Sequence, residues 1–316
     1  MRSTREGMSW TDAKKVIAKR QVQLNGNLCT DEARRLNPGD IVRIGSHAAA
    51  RPLDEREIII RHLDEHILVV EKPTGVTSTR HAEEKDWSDR RRQIQPTLDE
   101  LLPVALAMKS GKIRLDLAPT MLSDALREAS KAKVHHWPTV IAVHRLDRET
   151  SGLMVFARTR PAAGALTAMF AKHEVDRRYR AVVLGDCADM VIDTFLSKDI
   201  STGKRASVAK NIVGAQHAVT HVKRISTIGN YSLIECRLET GRTHQIRIHL
   251  SERGHAICGD KIYRCDLADA SNAPRHALHS YSIQFLHPHT DNPMRFEMDW
   301  PLDLANWMKP LGFVRK

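Results

Sequence analysis

The sequence predicts an α+β protein with a small N-terminal domain and one large domain. Its 316 residues are enough to bury a sizeable core. Hydrophobic residues make up 41% and charged residues 28%, the ordinary balance of a globular protein. Short apolar segments typical of strands alternate with helical patterns along the chain. No run of about 18 apolar residues is present, so we expect no membrane span.

The charge of the chain favours a polyanionic partner. The net charge is +11 and the isoelectric point is near 9.6. Lysine and arginine side chains that neutralise phosphates release counterions, so nucleic acid is the natural ligand of such a chain. Aromatic residues make up only 5%, which argues against a base-stacking platform as the main binding device.

The five cysteines are scattered and odd in number. This pattern argues against a disulfide framework and favours a reducing cytoplasm, as does the lack of an apolar stretch after Met1. Cys258 and Cys265 lie near His255, so a metal site is conceivable. Because zinc ligands usually come in tight pairs, buried or incidental thiols are the favoured interpretation.

The first element is a basic helix followed by short strands, over residues 9–45. Ser9 provides a capping signal, and Trp10, Ala13 and Ile17 recur at helical spacing. The pattern then predicts strands and turns in this order: a strand at Val22–Leu24, a hairpin turn at Asn25–Gly26, a turn at Pro38–Gly39 and a strand over 41–44.

This segment resembles an S4 RNA-binding domain, through "AKRQVQLNGN" and "RLNPGDIVRI" between Lys14 and Ile44. The usual first helix is short or missing before Ser9. The resemblance implies an S4-like α/β domain over residues 1–50 that grips RNA with Lys14, Lys15 and Lys19. The alternative is a small structural subdomain whose charges face solvent.

The large domain is predicted over residues 51–316, after a linker at about 46–56. Residues 80–136, which include the triplet Arg90–Arg92, read as a partly helical insertion. The pattern predicts the following elements in order: strands at Ile58–Ile60 and Ile67–Val70, helices at Leu98–Leu106 and Met121–Ala132, a buried strand at Val140–Val143, a strand at Leu153–Ala157, a helix from Pro161 to Lys172, and strands at Tyr179–Leu184 and Tyr231–Leu238.

The loop His144–Gly152 is rich in charge where a short turn between two strands would suffice. Catalytic groups collect on loops held by rigid strands, so Asp147 is a candidate catalytic carboxylate. An aspartate in such a loop can equally bond to nearby backbone amides in an Asx-turn. From the loop alone, that structural interpretation is favoured.

A distant segment, Leu238–Leu250, strengthens the catalytic interpretation. Thr243 is predicted to cap a helix that Gly254 ends. Arg247 stands between two isoleucines on this helix and is expected to be partly buried. A buried guanidinium requires a carboxylate partner, and Asp147 is the obvious one. Such a pair would favour the ionised form of Asp147.

Several motifs together resemble the RluA-type pseudouridine synthase family, in the expected order over roughly residues 57–303. They are "ILVVEKPTG", "VHRLDRETSG", "RRYRAVV", "ETGRTHQIRIHL" with "GHAICGD", and "RHALHSYSIQFLHP". The resemblance implies a mixed, largely antiparallel sheet with flanking helices. Two departures are the longer insertion at 80–136 and the pair Tyr263–Arg264, where the family usually has Tyr-Gly. Neither is expected to touch the catalytic residues.

The resemblance also implies roles for individual residues. Asp147 matches the essential aspartate, Tyr179 the tyrosine that stacks on uracil and accepts the C5 proton, and Arg247 the basic partner of the aspartate. Arg145 matches an arginine that fills the gap left by the flipped nucleotide. The remaining expected substrate or RNA contacts are His144, Arg242 and Thr243, with Ile246 and Ile248 flanking the pocket.

The function implied is isomerisation of a uridine to pseudouridine in RNA, and the S4-like segment favours ribosomal RNA of the large subunit. The reaction has no redox change, so neither a cofactor nor a metal is expected, and we expect a cytoplasmic monomer. Three alternatives remain: an inactive RNA-binding or ribosome-assembly protein on the same fold, a transfer-RNA-directed synthase, and a glycoside hydrolase using Asp147 and Glu149. The last pair is poorly spaced to flank a bond from opposite sides.

Overall fold

A computed structural model describes residues 8–24, 27–29, 32, 35–36, 42–45, 58–80, 96–110, 137–198 and 205–313. The chain divides into two compact units. The smaller contains Met1–Leu53, and the larger contains Asp54–Asp86 and Pro96–Lys316. Several predictions lie outside the described residues: the turns at Asn25–Gly26 and Pro38–Gly39, the linker at 46–56, the triplet Arg90–Arg92 and the helix over 121–132.

The smaller unit pairs one helix with a three-stranded sheet. Helix α1 spans Trp10–Ala18, and the hydroxyl of Ser9 accepts a hydrogen bond from the Asp12 amide at 3.1 Å, as the capping signal predicts. Ala13 and Ile17 are buried, whereas Trp10 is exposed and only the other two form the inner face. The strands run in the order β2-β1-β3, all antiparallel, with β1 at Val22–Leu24, β2 at Asn27–Leu28 and β3 at Val42–Ile44.

The larger unit is built on an eleven-stranded sheet within the described residues. Its strands are β4 (Ile59–Leu63), β5 (Ile67–Lys72), β6 (Ile141–Ala142), β7 (Ser151–Ala157), β8 (Asp176–Leu184), β9 (Met190–Lys198), β10 (Arg205–Val208), β11 (Gln216–Ile228), β12 (Tyr231–Leu238), β13 (Leu278–Leu286) and β14 (Pro293–Glu297).

The sheet is mixed and largely antiparallel. Its main path runs β10-β9-β11-β12-β8-β13-β7-β5-β4, with β14 added to β13 and β6 to β7. Strands β7 and β13 pair in parallel, and the other described pairs are antiparallel. At this parallel junction Gly152 has φ +136°, and a Cβ there would lie 2.3 Å from the carbonyl oxygen of Ser280. Only glycine allows β7 to approach β13 so closely.

Four helices complete the described part of this unit: α2 (Leu98–Lys109), α3 (Arg160–Ala171), α4 (Gln245–Glu252) and α5 (Leu302–Met308). Helix α2 lies within the predicted insertion and contains Pro103. Helix α3 begins as predicted, with a proline in its first turn. In the described residues, no helix has the length and apolar character needed to cross a membrane.

A core of the larger unit lies between β5, β7, β13 and α3. It includes Ile67, Val69, Leu153, Val155 and Leu166, all fully buried. The prediction of a buried strand over Val140–Val143 is wrong: β6 has two residues, and both are only half-buried. In the described sheet, strand β6 pairs only with the end of β7, and Ile141 packs against the core there without being enclosed by it.

Candidate active site

One cavity of the larger unit has a volume of about 490 Å³ and holds the predicted catalytic residues. Asp147, Tyr179 and Arg247 all line it. They come from three separate parts of the chain: the loop before β7, strand β8 and helix α4. The cavity is therefore created by tertiary packing of these elements.

Buried side chains hold the Asp147 loop in place through hydrogen bonds to its backbone. The Ser78 hydroxyl donates to the Leu146 carbonyl at 2.8 Å and accepts from the Leu146 amide at 3.0 Å. The Lys72 ammonium, 1% exposed, donates to the carbonyls of Arg148 and Thr150 at 3.0 and 2.7 Å. Burial lowers the pKa of Lys72 to about 7. These bonds hold the loop in one conformation, which leaves the Asp147 carboxylate directed at the cavity.

A second buried cation, Arg275, supports the same loop. It donates to the Glu149 carbonyl at 2.9 Å and to the Ser151 hydroxyl at 2.9 Å. It also donates to the Asp303 carboxylate of α5, at 2.7 and 3.3 Å. The loop is thus tied to both the central sheet and the last helix.

Arg247 is shared between two carboxylates. Its Nη1 lies 3.2 Å from Asp147 Oδ2, as the sequence predicts. Its Nε and Nη2 donate to the two oxygens of Asp260 at 2.6 and 2.9 Å. Burial opposes ionisation of Asp260, but the hydrogen bonds and charge of Arg247 outweigh it and lower the pKa of that carboxyl. Asp260, rather than Asp147, is therefore the stronger partner of this guanidinium.

Tyr179 lies in the middle of β8 and is 5% exposed. Burial raises the pKa of its phenol, and the neighbouring Asp147 charge acts in the same direction. The group is therefore protonated in the free protein. Its ring faces the cavity, where it could contact a bound base.

His244 and Tyr263 form an unpredicted part of the site. The His244 Nε2 lies 3.8 Å from Asp147 Oδ2, and its Nδ1 is 2.9 Å from the Tyr263 hydroxyl. The Arg247 guanidinium also lies over the Tyr263 ring, 5.1 Å from its centroid. The expectation that the Tyr263–Arg264 departure stays away from the catalytic residues is therefore wrong for Tyr263.

Other predicted residues divide between the cavity wall and positions elsewhere. Those in the wall are His144, Arg145, Arg242, Thr243 and Ile246. The His144 ring stacks on Phe170 and accepts a hydrogen bond from the Val155 amide at 3.0 Å, so its position is set by the protein itself. Burial lowers the pKa of His144 to about 3, which keeps it neutral.

Ile248 does not flank the cavity. It packs with Leu196, Ala218 and Tyr263 in a separate apolar cluster, because its position on α4 points it toward β9 and β11. Lys14, Lys15 and Lys19 belong to the smaller unit. There Lys14 pairs with Glu32 at 3.2 Å.

The helix-capping prediction for Thr243 is also wrong. The residue that precedes α4 is His244, which has φ 60° and ψ 17° and makes no side-chain cap. The side chain of Gln245 fixes the turn instead. Its Oε1 accepts a hydrogen bond from the backbone amide of Arg242 at 3.0 Å, and its Nε2 donates to the backbone carbonyl of Val219 at 3.0 Å. Gly254, with φ 82°, follows the C-cap as predicted.

The sequence analysis missed Lys72, Ser78, Asp260 and Arg275. Asp260 and Arg275 stand inside the quoted motifs but were given no role. A lysine at the end of an apolar strand, such as Lys72, is a signal that could have been used, since a buried lysine requires acceptors.

The cysteines fit the interpretation as ordinary thiols. Cys187, Cys236 and Cys258 are buried, and burial raises the pKa of Cys187 to about 11 and of Cys258 to about 12. Across the residues placed in the structure, no group of three or more His, Cys, Asp or Glu side chains is arranged to hold a metal ion.

The comparisons with known proteins agree on one family. A family model described as RNA pseudouridylate synthase matches residues 66–252. "Ribosomal large subunit pseudouridine synthase D" of Zymomonas mobilis is 39% identical over 176 residues, 54% of this chain and 55% of that protein. The protein of the same name from Xanthomonas campestris is 30% identical over 86% of this chain and 73% of its own length.

The matches differ in extent. The chain spans about half the length of the relatives from Z. mobilis and Neisseria meningitidis, at 55% and 49%. Among solved structures, human RNA pseudouridylate synthase domain containing 4 matches with a TM-score of 0.58 and 21% identity, over 80% of this chain and 92% of that one. At that identity the likeness concerns the fold alone.

Proposed function

Because the chain belongs to the RNA pseudouridylate synthase family, we propose that it is an enzyme that isomerises uridine to pseudouridine in RNA. The observation that carries the proposal is the meeting of Asp147, Arg247 and Tyr179 in one cavity, with Asp147 3.2 Å from Arg247. These residues are separated by up to 100 positions in the sequence. An inactive relative that only bound RNA would not require this arrangement.

In the proposed reaction the target nucleotide first leaves its stack, because a stacked uridine is out of reach of a cavity side chain. Arg145, on the exposed rim of the cavity, is assigned to fill the vacated space. The flipped uracil is assigned to the face of Tyr179. Arg242 and Thr243, also in the wall, are assigned to the substrate backbone.

Asp147 carries out the central step. Its carboxylate either attacks C1′, which breaks the N1–C1′ bond and leaves a covalent sugar ester, or removes the C2′ proton to give a glycal. The uracil turns and C5 bonds to C1′, either as the ester bond to Asp147 breaks or as C2′ of the glycal regains its proton. The proton on C5 then leaves, and N1, which has lost its bond to C1′, gains one. Tyr179 is the proposed acceptor of the C5 proton. Since its phenol is protonated in the free protein, it gives up its own proton as it accepts the one from C5, and N1 of the uracil is the atom that takes up a proton.

We propose large-subunit ribosomal RNA as the substrate. The names of the relatives from Z. mobilis, N. meningitidis and X. campestris support this target. The smaller unit is proposed to be an S4-like RNA-binding domain over residues 1–50, since the exposed side of α1 carries Lys14, Lys15 and Lys19. Neutralised phosphates there would add salt-dependent affinity.

The test is an in vitro assay with unmodified transcripts. Protein is incubated with large-subunit ribosomal RNA or with transfer RNA, and pseudouridine is mapped by chemical labelling and primer extension. We expect modification of ribosomal RNA by the wild type, and a loss of more than about 10³-fold in Asp147→Asn. Asp186→Asn, at an exposed aspartate paired with Arg224, is the matched control.

Each outcome decides one point. Modification of transfer RNA alone would overturn the ribosomal target and keep the chemistry. Absence of pseudouridine with both RNAs, or full activity of Asp147→Asn, would overturn the proposed reaction.

A further inference from the structure

A hydrogen-bond donor that the proposed mechanism does not use lies beside the catalytic aspartate. The His244 Nε2 is 3.8 Å from Asp147 Oδ2, and both groups face the same cavity. That distance exceeds a hydrogen bond. His244 also has a left-handed backbone, with φ 60° and ψ 17°, at the turn into α4. The fold therefore holds the ring in an unusual backbone conformation next to the reacting group.

The contact with Tyr263 allows the proton of this ring to be assigned to one nitrogen. Its phenol oxygen accepts a backbone hydrogen bond from Arg205, and burial raises the pKa of the phenol, so the hydroxyl keeps its proton. The hydroxyl is then free to donate to His244 Nδ1 at 2.9 Å. Burial lowers the pKa of His244, which makes the ring neutral. A neutral imidazole that accepts at Nδ1 has its proton on Nε2, the nitrogen nearer to Asp147.

The other strong donor at this place is already engaged. Arg247 directs Nη1 at Asp147 and directs Nε and Nη2 at Asp260. Its three donor nitrogens therefore face carboxylates. Among the described residues, His244 Nε2 makes no hydrogen bond, and Asp147 Oδ2 is 3.8 Å away, so its N–H is available to a substrate atom near that carboxylate.

The proposed chemistry identifies that atom. Asp147 must reach C1′ or C2′ of the target nucleotide, and the 2′-hydroxyl oxygen is bonded to C2′. A donor a few ångströms from the reacting carboxylate oxygen consequently faces this hydroxyl in either mechanism. The 2′-hydroxyl is also the group that distinguishes RNA from DNA at a given site.

We propose that His244 donates a hydrogen bond from Nε2 to the 2′-oxygen of the target uridine and thereby selects a ribonucleotide at that position. Tyr263 is a positioning residue that holds the ring and its proton. This inference rests on the proposed function, because it uses the location of C1′ and C2′ relative to Asp147.

The test removes the 2′-hydroxyl of the target uridine and the imidazole of His244, separately and together. Two synthetic RNA hairpins are made around a uridine mapped in large-subunit ribosomal RNA, identical except for uridine or 2′-deoxyuridine at the target. Their affinities are measured by fluorescence anisotropy with wild type and with His244→Asn. Asparagine tolerates a left-handed backbone but is too short to place a donor at the Nε2 position.

We expect the wild type to bind the uridine hairpin about 3- to 10-fold more tightly than the deoxyuridine hairpin, the size of one hydrogen bond. His244→Asn should bind the two hairpins equally. His244→Gln should recover part of the preference, because its terminal amide can stand where Nε2 stood. Tyr263→Phe should reduce the preference without abolishing binding. His289→Asn, at an exposed histidine outside the cavity, should behave as wild type.

The outcomes separate this inference from the proposed function. If the wild type converts the uridine hairpin to pseudouridine but His244→Asn keeps the full preference for it, the inference is wrong and the proposed function stands. If the wild type converts no RNA, the proposed function is wrong, and this inference is wrong with it. Should His244→Asn not fold, an unchanged preference in both His244→Gln and Tyr263→Phe would refute the role of the pair.

Discussion

Substitution of Asp260 tests how the candidate active-site cavity is held together. Its carboxylate binds Arg247 through two hydrogen bonds, of 2.6 and 2.9 Å. The Oδ1 atom also accepts hydrogen bonds from the backbone amides of Ile262 and Tyr263, at 2.9 and 3.0 Å. The side chains of Arg247 and Asp260 are only 6% and 1% exposed. The substitution Asp260→Asn removes the charge and presents an amide group to the Arg247 guanidinium, while its oxygen can still accept both backbone amides.

The expected loss in the free energy of unfolding is that of a buried ion pair from which one partner is removed. Such changes cost about 3–5 kcal/mol, because the remaining charge stays buried without its partner. In a domain of this size, each kcal/mol lowers the melting temperature by about 2–4 °C. We therefore expect Asp260→Asn to melt about 6–20 °C below the wild type at pH 7.

The pH dependence of this difference follows from the lowered pKa of Asp260. A carboxyl whose pKa is lower in the folded state than in the unfolded state binds more protons when unfolded, so stability falls as the pH decreases. The contribution is complete above the unfolded pKa of about 4 and is lost as the pH falls through the folded value. The difference between the wild-type and variant melting temperatures should thus begin to shrink as the pH falls below about 4.

The assay is thermal unfolding by circular dichroism from pH 3 to 8, with Asp186→Asn as control. Asp186 pairs with Arg224 at 2.6 Å, but its side chain is 69% exposed, so this change should leave the melting temperature nearly unaltered. If Asp260→Asn melted like the control at pH 7, Arg247 would not depend on Asp260, and our account of the shared guanidinium would be refuted.

Three further predictions concern the same site and its support. Tyr179→Phe should fold normally but lose about 10²- to 10⁴-fold in turnover if the phenol handles the C5 proton; single-turnover assays at equal RNA affinity test this, and undiminished turnover would limit Tyr179 to stacking. Lys72→Met leaves the Thr150 carbonyl without its 2.7 Å donor, so we expect a loss of about 1–3 kcal/mol in the free energy of unfolding, measured in urea; wild-type stability would show that the carbonyls find other donors. Gly152→Ala places a Cβ 2.3 Å from the Ser280 carbonyl oxygen, so the variant should be unfolded or strongly destabilised in calorimetry, and a wild-type melting temperature would contradict the close approach of β7 and β13.

The sequence predicts well those features that depend on local pattern. Strand β12 matches its predicted bounds at Tyr231–Leu238, and α1 and α3 begin where their capping signals stand. The local errors have physical causes too. Thr243 does not cap α4, because the side chain of Gln245 satisfies the preceding amide and the backbone turns at His244.

The site was partly predictable because charge in an apolar setting requires a partner. Arg247, set between isoleucines, pointed to Asp147, and the two lie 3.2 Å apart. The same reasoning did not find Asp260, since many carboxylates could have satisfied that demand. The choice depended on which of them the fold brings to α4.

The family, the candidate catalytic aspartate and the elements with a clear periodicity could be predicted from the sequence, because they depend on motifs and patterns that are readable along the chain. Which residues lie together in space depends on the tertiary structure. Lys72 and Arg275 support the Asp147 loop, Asp260 holds Arg247, and Tyr263 hydrogen-bonds to the His244 ring. The physical reason is that hydrogen bonds and ion pairs act over about 3 Å in space, a distance that only the packing of the sheet and helices sets between residues far apart in sequence.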